Sequence, residues 1–183
     1  SAPIQNIGAY GVEQKDCMLS CEVMNLQTTE VSTLNNEACN FGYRDSVFKR
    51  DLKGKVVITS VTYRLQKQEY TVNTSYGTIA QTLQEKGIES PSIKDVAEAV
   101  IAIRSSKLPV PKDMGNGGSF FKNPVISQQQ FSALKEKYPN IPHYPNGNEV
   151  KIPAACLIDQ LGYKGKRWGD AGVHTKQPLV LVN

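Results

Sequence analysis

The sequence predicts an α+β fold in two parts, and three observations carry that prediction. Strand patterning marks residues 17–26 and 56–65, while helical patterning marks 78–86 and 92–104. Short helices and strands then follow one another to the C-terminus in a mixed order without a βαβ repeat. Between these halves, residues 106–118 (SKLPVPKDMGNGG) hold two prolines and three glycines, which marks a boundary. The junction is placed near 107, giving parts 1–106 and 107–183.

Each element has a local reason. Residues 1–14 are small and glycine-punctuated. Cys17, Leu19, Cys21 and Val23 alternate onto one face of a half-buried strand, and VVITSVTYRL (56–65) is rich in β-branched residues. NFGYRDSVFKR between them reads as a polar loop. Residues 78–86 form a short helix closed by Gly87. Ser92 and Asp95 cap a longer helix whose stripe of Ile93, Val96, Val100 and Ile103 is expected in the core. Beyond the junction, Phe120 to Ile126 reads as a strand. Ser127 with Gln130 forms a capping box for a helix carrying Phe131, Leu134 and Tyr138. Pro153 and Gly162 bracket AACLIDQL, and 168–183 returns to strand.

Composition bounds the function. With 183 residues, 39% hydrophobic and 21% charged, the chain is globular rather than fibrous or disordered. No apolar run approaches the roughly 20 residues of a membrane span. A net charge of +4 suits an anionic ligand but is too weak to indicate nucleic acid. Cys17, Cys21, Cys39 and Cys156 have no zinc spacing, and the two histidines, His143 and His174, have no carboxylate at ligand spacing. The cysteines read as free thiols, and no metal site is expected. The abrupt start in a motif without Met, and the end on LVLVN, predict a piece of a longer protein.

Four constellations could carry chemistry. In PIQNIGAYG (3–11), glycines permit close backbone approach and successive amides can form an anion nest; an ordinary glycine-rich connection also fits. In FGYRDS (41–46), Arg44 offers a fork for carboxylate or phosphate, or else a surface pair with Asp45. In GNGGSFFKNP (115–124), Ser119 follows two glycines and is held rigidly; the motif lacks the GxSxG pattern, and a hydrolase triad would need His143 or His174. Arg104, Lys107, Lys112 and Lys122 crowd the junction, with Tyr76, Asn123 and Tyr144 as further polar contacts. Such a set favours a di-anionic ligand.

PIQNIGAYGVE, FGYRDSVFK, KLPVPK, GNGGSFFKNPV, LIDQLGYKG and VHTKQPLVLVN, in this order, resemble the UDP-N-acetylenolpyruvoylglucosamine reductase family over the whole chain. The resemblance implies the C-terminal part of an FAD-binding domain at 1–106, followed by a smaller α+β UDP-sugar domain at 107–183. It implies FAD as cofactor, NADPH as reductant and UDP-N-acetylglucosamine enolpyruvate as substrate, in a monomeric cytoplasmic enzyme of peptidoglycan synthesis. No nucleic-acid or membrane partner is implied.

By match, Arg44 faces the enolpyruvyl carboxylate and Ser119 donates the proton. Tyr76, Lys107, Asn123, Tyr144 and Gln177 hold the UDP-sugar. Gln5, Asn6, Gly8, Ala9, Tyr10, Arg104 and Gly118 line the flavin. The chain departs from the family pattern in lacking the N-terminal FAD lobe and the C-terminal segment with a catalytic glutamate. An inactive fragment, or a UDP-sugar-binding module without catalysis, is the alternative expectation.

Overall fold

The computed structural model describes residues 2–67 and 70–183. It divides into two compact units, 1–100 and 101–183.

The first unit opens with α1 (Ala2–Gln5) and the hairpin of β1 (Gly8–Ala9) and β2 (Val12–Glu13). Ala9 pairs with Val12, and the two loop residues, Tyr10 and Gly11, have φ of 55° and 82°. Two left-handed residues make a type I′ turn, whose twist matches that of the strands it joins. After α2 (Gln14–Cys17), the strands β3 (Met18–Asn25), β4 (Val31–Asn35) and β5 (Val56–Tyr63) form an antiparallel sheet with β3 in the centre. Met18, Cys21, Val23, Cys39 and Phe48 form its core, with Ile4, Leu34 and Phe41 packed against it.

Strand β3 departs from the expected alternation. Cys21 and Val23 are buried as predicted, but Met18 joins them and Leu19 is 38% exposed. The β3–β5 register shifts between Met18 and Ser20. One extra residue reverses the inward phase, which turns Leu19 outward. Cys17 lies outside the strand, at the end of α2.

Two helices follow, α3 (Ile79–Glu85) and α4 (Ile93–Lys107). The predicted cap of α4 is present: the Ser92 amide and hydroxyl donate to Asp95 Oδ2 at 2.8 and 2.6 Å, and the Asp95 amide donates to Ser92 Oγ at 3.3 Å. These donors hold the Asp95 carboxyl below its ordinary range. The expected core stripe is corrected. Ile103 is buried, yet Ile93 is 50% exposed, because Ile93, Val96 and Val100 wall a cavity rather than a packed layer.

In the second unit, β6 (Asn116–Ser119), β7 (Val125–Ser127), α5 (Gln128–Lys137), β8 (Tyr144–Asn146), β9 (Glu149–Lys151), α6 (Ala154–Gln160), β10 (Arg167–Trp168), β11 (Ala171–Val173) and β12 (Val180–Val182) follow in order. Two antiparallel sheets result, β10-β11-β12-β6 and β7-β9-β8. The capping box of α5 forms as expected: the Ser127 amide donates to Gln130 Oε1 and the Gln130 amide to Ser127 Oγ. Phe131, Ile141, Val150 and Ile152 make the core beneath this helix. Tyr138 caps its C-terminus and is 53% exposed.

The single strand expected over 120–126 is interrupted. Strand β6 stops at Ser119 and β7 starts at Val125. Pro124 has no N–H to give a ladder, and Asn123 turns to a helix end instead, its Oδ1 accepting the Ala154 amide at 2.9 Å. Phe120 and Phe121 are left 71% and 41% exposed. Among the described residues, no helix is long and apolar enough to cross a membrane.

Candidate functional site

In the first unit the fold brings two of the sequence motifs together. Residues 42–45 form a turn closed by Gly42 and Asp45, whose amides and carbonyls exchange bonds of 3.0 and 3.2 Å. Arg44 occupies this turn at φ 51°. Its Nη2 donates to the Gly8 carbonyl at 2.7 Å and its Nη1 to the Asn6 carbonyl at 3.4 Å. The approach depends on Gly8 having no side chain. A Cβ there would stand 3.3 Å from Arg44 Nη1 and 2.7 Å from Glu13 Cγ. The alternative of an Arg44–Asp45 surface pair is overturned, because Asp45 pairs with Arg50.

Further bonds lock the two motifs. Asn6, fully buried, donates from Nδ2 to the Gly42 carbonyl at 3.0 Å and to Glu13 Oε2 at 3.1 Å. The Ser46 hydroxyl donates to the Ile4 carbonyl at 2.7 Å. Lys49 Nζ reaches Gln5 Oε1 at 3.1 Å and the Arg44 carbonyl at 2.9 Å. Asn6, Tyr10 and Arg44 all have positive φ without being glycine. Such conformations persist only where the surroundings over-determine them, and they concentrate at functional sites. Sequence reasoning missed Glu13, Ser46 and Lys49 as parts of this site. Their polar groups within or beside the two quoted motifs were the available signal.

Tyr76 sits against the hairpin turn. Its ring meets that of Tyr10 edge-on with centroids 5.9 Å apart, and a Cβ on Gly11 would lie 3.4 Å from Tyr76 Cβ. Beside them opens a cavity of about 760 Å³, lined by Ala9, Tyr10, Asn73, Ile79, Val96 and Val100 among others. That volume lies in the range of small-molecule pockets.

In the second unit, Ser119 lies at the exposed end of β6 and pairs with Val180. Gly118 has φ 76°, and its amide donates to Asn116 Oδ1 at 3.0 Å. That local turn sets the direction of the backbone entering Ser119. Gln177 belongs to the β11–β12 connection. Its carbonyl accepts the Val180 amide at 3.0 Å, which places it three residues from the partner of Ser119. The Gln177 and Lys176 amides both donate to Nδ1 of buried His174, at 3.2 and 3.3 Å. His143 Nδ1 lies 3.2 Å from the Ile141 carbonyl. Both imidazoles are thus held by backbone, which leaves the hydrolase triad without structural support.

Tyr144 is exposed on β8, opposite Lys151. Asn123 caps α6. Arg104 and Lys107 are exposed in the last turn of α4. Around the β3 core, Cys21 and Cys39 are buried with their sulfurs 3.9 Å apart. Burial pushes the Cys39 thiol up to about 12, reinforced by the neighbouring Cys21.

Comparison with known proteins follows the same lines. The family model for the UDP-N-acetylenolpyruvoylglucosamine reductase C-terminal domain matches residues 110–183. Over its whole length the chain is 53% identical to the enzyme of that name from Flavobacterium johnsoniae, covering 55% of it. It is 51% identical to that from Chromobacterium violaceum, covering 54%. Residues 110–183 carry the C-terminal domain of the UDP-N-acetylenolpyruvoylglucosamine reductase family, and the whole chain resembles those enzymes. It spans about half the length of the curated relatives it matches. The crystal structure of UDP-N-acetylenolpyruvylglucosamine reductase from Thermus caldophilus aligns with all of the chain at a TM-score of 0.58 and 24% identity, covering 48% of that protein. The expected α+β class is the one observed, and the family fold is shared.

Proposed function

We propose that this chain supplies substrate-binding and catalytic residues to a reductase that converts UDP-N-acetylglucosamine enolpyruvate to UDP-N-acetylmuramate. FAD and NADPH serve the reaction, in peptidoglycan precursor synthesis, in a monomeric cytoplasmic enzyme. Residues 1–106 form part of the FAD-binding domain and residues 107–183 the UDP-sugar domain. The observation that supports this most is the clasp on Arg44, itself left-handed at φ 51°, whose guanidinium is held by the Asn6 and Gly8 carbonyls.

A flavin fits the cavity beside Ala9 and Tyr10 in size and in its aromatic and apolar walls. Ala9 and Tyr10 line it, and the family resemblance adds Gln5, Gly8, Arg104 and Gly118 to the residues that hold the flavin. When bound, FAD takes electrons from NADPH and supplies the hydride that adds to the enolpyruvyl C3.

The chain's residues do the rest. Arg44 pairs with the substrate carboxylate and stabilises the negative charge that spreads into it during reduction. A guanidinium already fixed by the backbone needs little reorganisation as that charge develops, so its stabilisation is greatest in the transition state. Ser119 holds a proton for C2. An alcohol is a weak acid, and it serves here only because Gly118 and Asn116 fix the backbone that presents it. Tyr76, Lys107, Asn123, Tyr144 and Gln177 bind the UDP-sugar, with Lys107 meeting phosphate charge. A second reading, a UDP-sugar-binding module without catalysis, draws on the family match to residues 110–183.

Steady-state NADPH oxidation by the full-length reductase, driven by the enolpyruvyl substrate, tests the assignment. Ser119→Ala should lower kcat by about 10²–10⁴, and Arg44→Ala by about 10²–10³. Wild-type rates in either variant would refute it.

A further inference from the structure

Asn6 is completely buried and holds left-handed backbone at φ 40°. Its amide is used up inside the chain. Nδ2 donates to the Gly42 carbonyl at 3.0 Å and to Glu13 Oε2 at 3.1 Å, while Oδ1 accepts the Lys15 amide at 3.0 Å. An asparagine amide has two N–H donors, and both are spent on these partners.

Two of its contacts converge on Arg44. The Asn6 backbone carbonyl receives Arg44 Nη1 at 3.4 Å. The side chain grips Gly42, which closes the four-residue turn holding Arg44. Asn6 therefore fixes the guanidinium and the backbone behind it at once. Glu13 steadies the amide from outside and is itself paired with Lys15 Nζ at 3.3 Å.

We infer that Asn6 is a positioning residue for Arg44, aiming its guanidinium at the substrate carboxylate, and not a flavin ligand. This rests on the role proposed for Arg44. An amide with no exposed surface and both donors committed has nothing to offer a cofactor.

Asn6→Asp tests it in the full-length reductase. The substitution keeps the shape and the acceptor for Lys15, but sets an oxygen against the Gly42 carbonyl and the Glu13 carboxylate. Affinity is measured for UDP-N-acetylmuramate, which carries the carboxylate, and for UDP-N-acetylglucosamine, which lacks it. The expected result is about a tenfold loss for the first ligand, the worth of one charged-group hydrogen bond, with the second unchanged. No further loss is expected when Asn6→Asp is added to Arg44→Ala. Glu13→Gln, at a more exposed site, weakens the same bond and should give a loss of about threefold with the same selectivity. It answers the question if Asn6→Asp does not fold. Equal weakening of both ligands, or no weakening in a folded variant, overturns the inference while Arg44→Ala still loses carboxylate preference. If Arg44→Ala keeps that preference, the reading of Arg44 itself has failed.

Discussion

Ser46 shows how a single hydroxyl stabilises the site. It is wholly buried, and its Oγ donates to the Ile4 carbonyl at 2.7 Å, joining chain segments 42 residues apart. Ser46→Ala would leave that carbonyl without this donor, so we expect a loss of about 1–3 kcal/mol in stability by urea titration. The buried cysteines make a second prediction. Because the folded thiols of Cys21 and Cys39 ionise at higher pH than in the unfolded chain, the native state binds more protons above the unfolded value. Stability should be fully present below about pH 8.5. It should fall as pH rises from there toward about 12, where Cys39 ionises. Substituting Ala for Cys39 should flatten that alkaline loss in unfolding measured against pH. Iodoacetamide should label partly exposed Cys17 and Cys156 well before Cys21 and Cys39.

At the scale of elements, what was legible followed from local rules. The caps of α4 and α5 need only residues three apart, and both form. Ser127→Ala should destabilise the chain by about 1 kcal/mol, and Asn123→Ala, at the start of α6, by a similar amount; thermal unfolding reads both. Non-local features were not legible. Strand β4 is short and mostly exposed, so VSTLN carries no inward pattern. Strand β6 is NGGS, a composition that disfavours strands, and pairing with β12 imposes its conformation. The bulge near Leu19 is a property of the β3–β5 pair rather than of either sequence. The site followed the same division. Arg44 and Ser119 stood out by motif, but the clasp joins residues 36 and 38 apart, a distance at which no spacing rule operates.

For the whole molecule, the central claim is that Arg44 and Ser119 act on the substrate after the reductant has delivered its electrons. The order of events supplies the test. Anaerobic stopped-flow of the full-length reductase separates flavin reduction by NADPH from reoxidation by the enolpyruvyl substrate. The account predicts that Ser119→Ala reduces its flavin at the wild-type rate and reoxidises it about 10²–10⁴ times more slowly. Reoxidation at the wild-type rate in Ser119→Ala would contradict it.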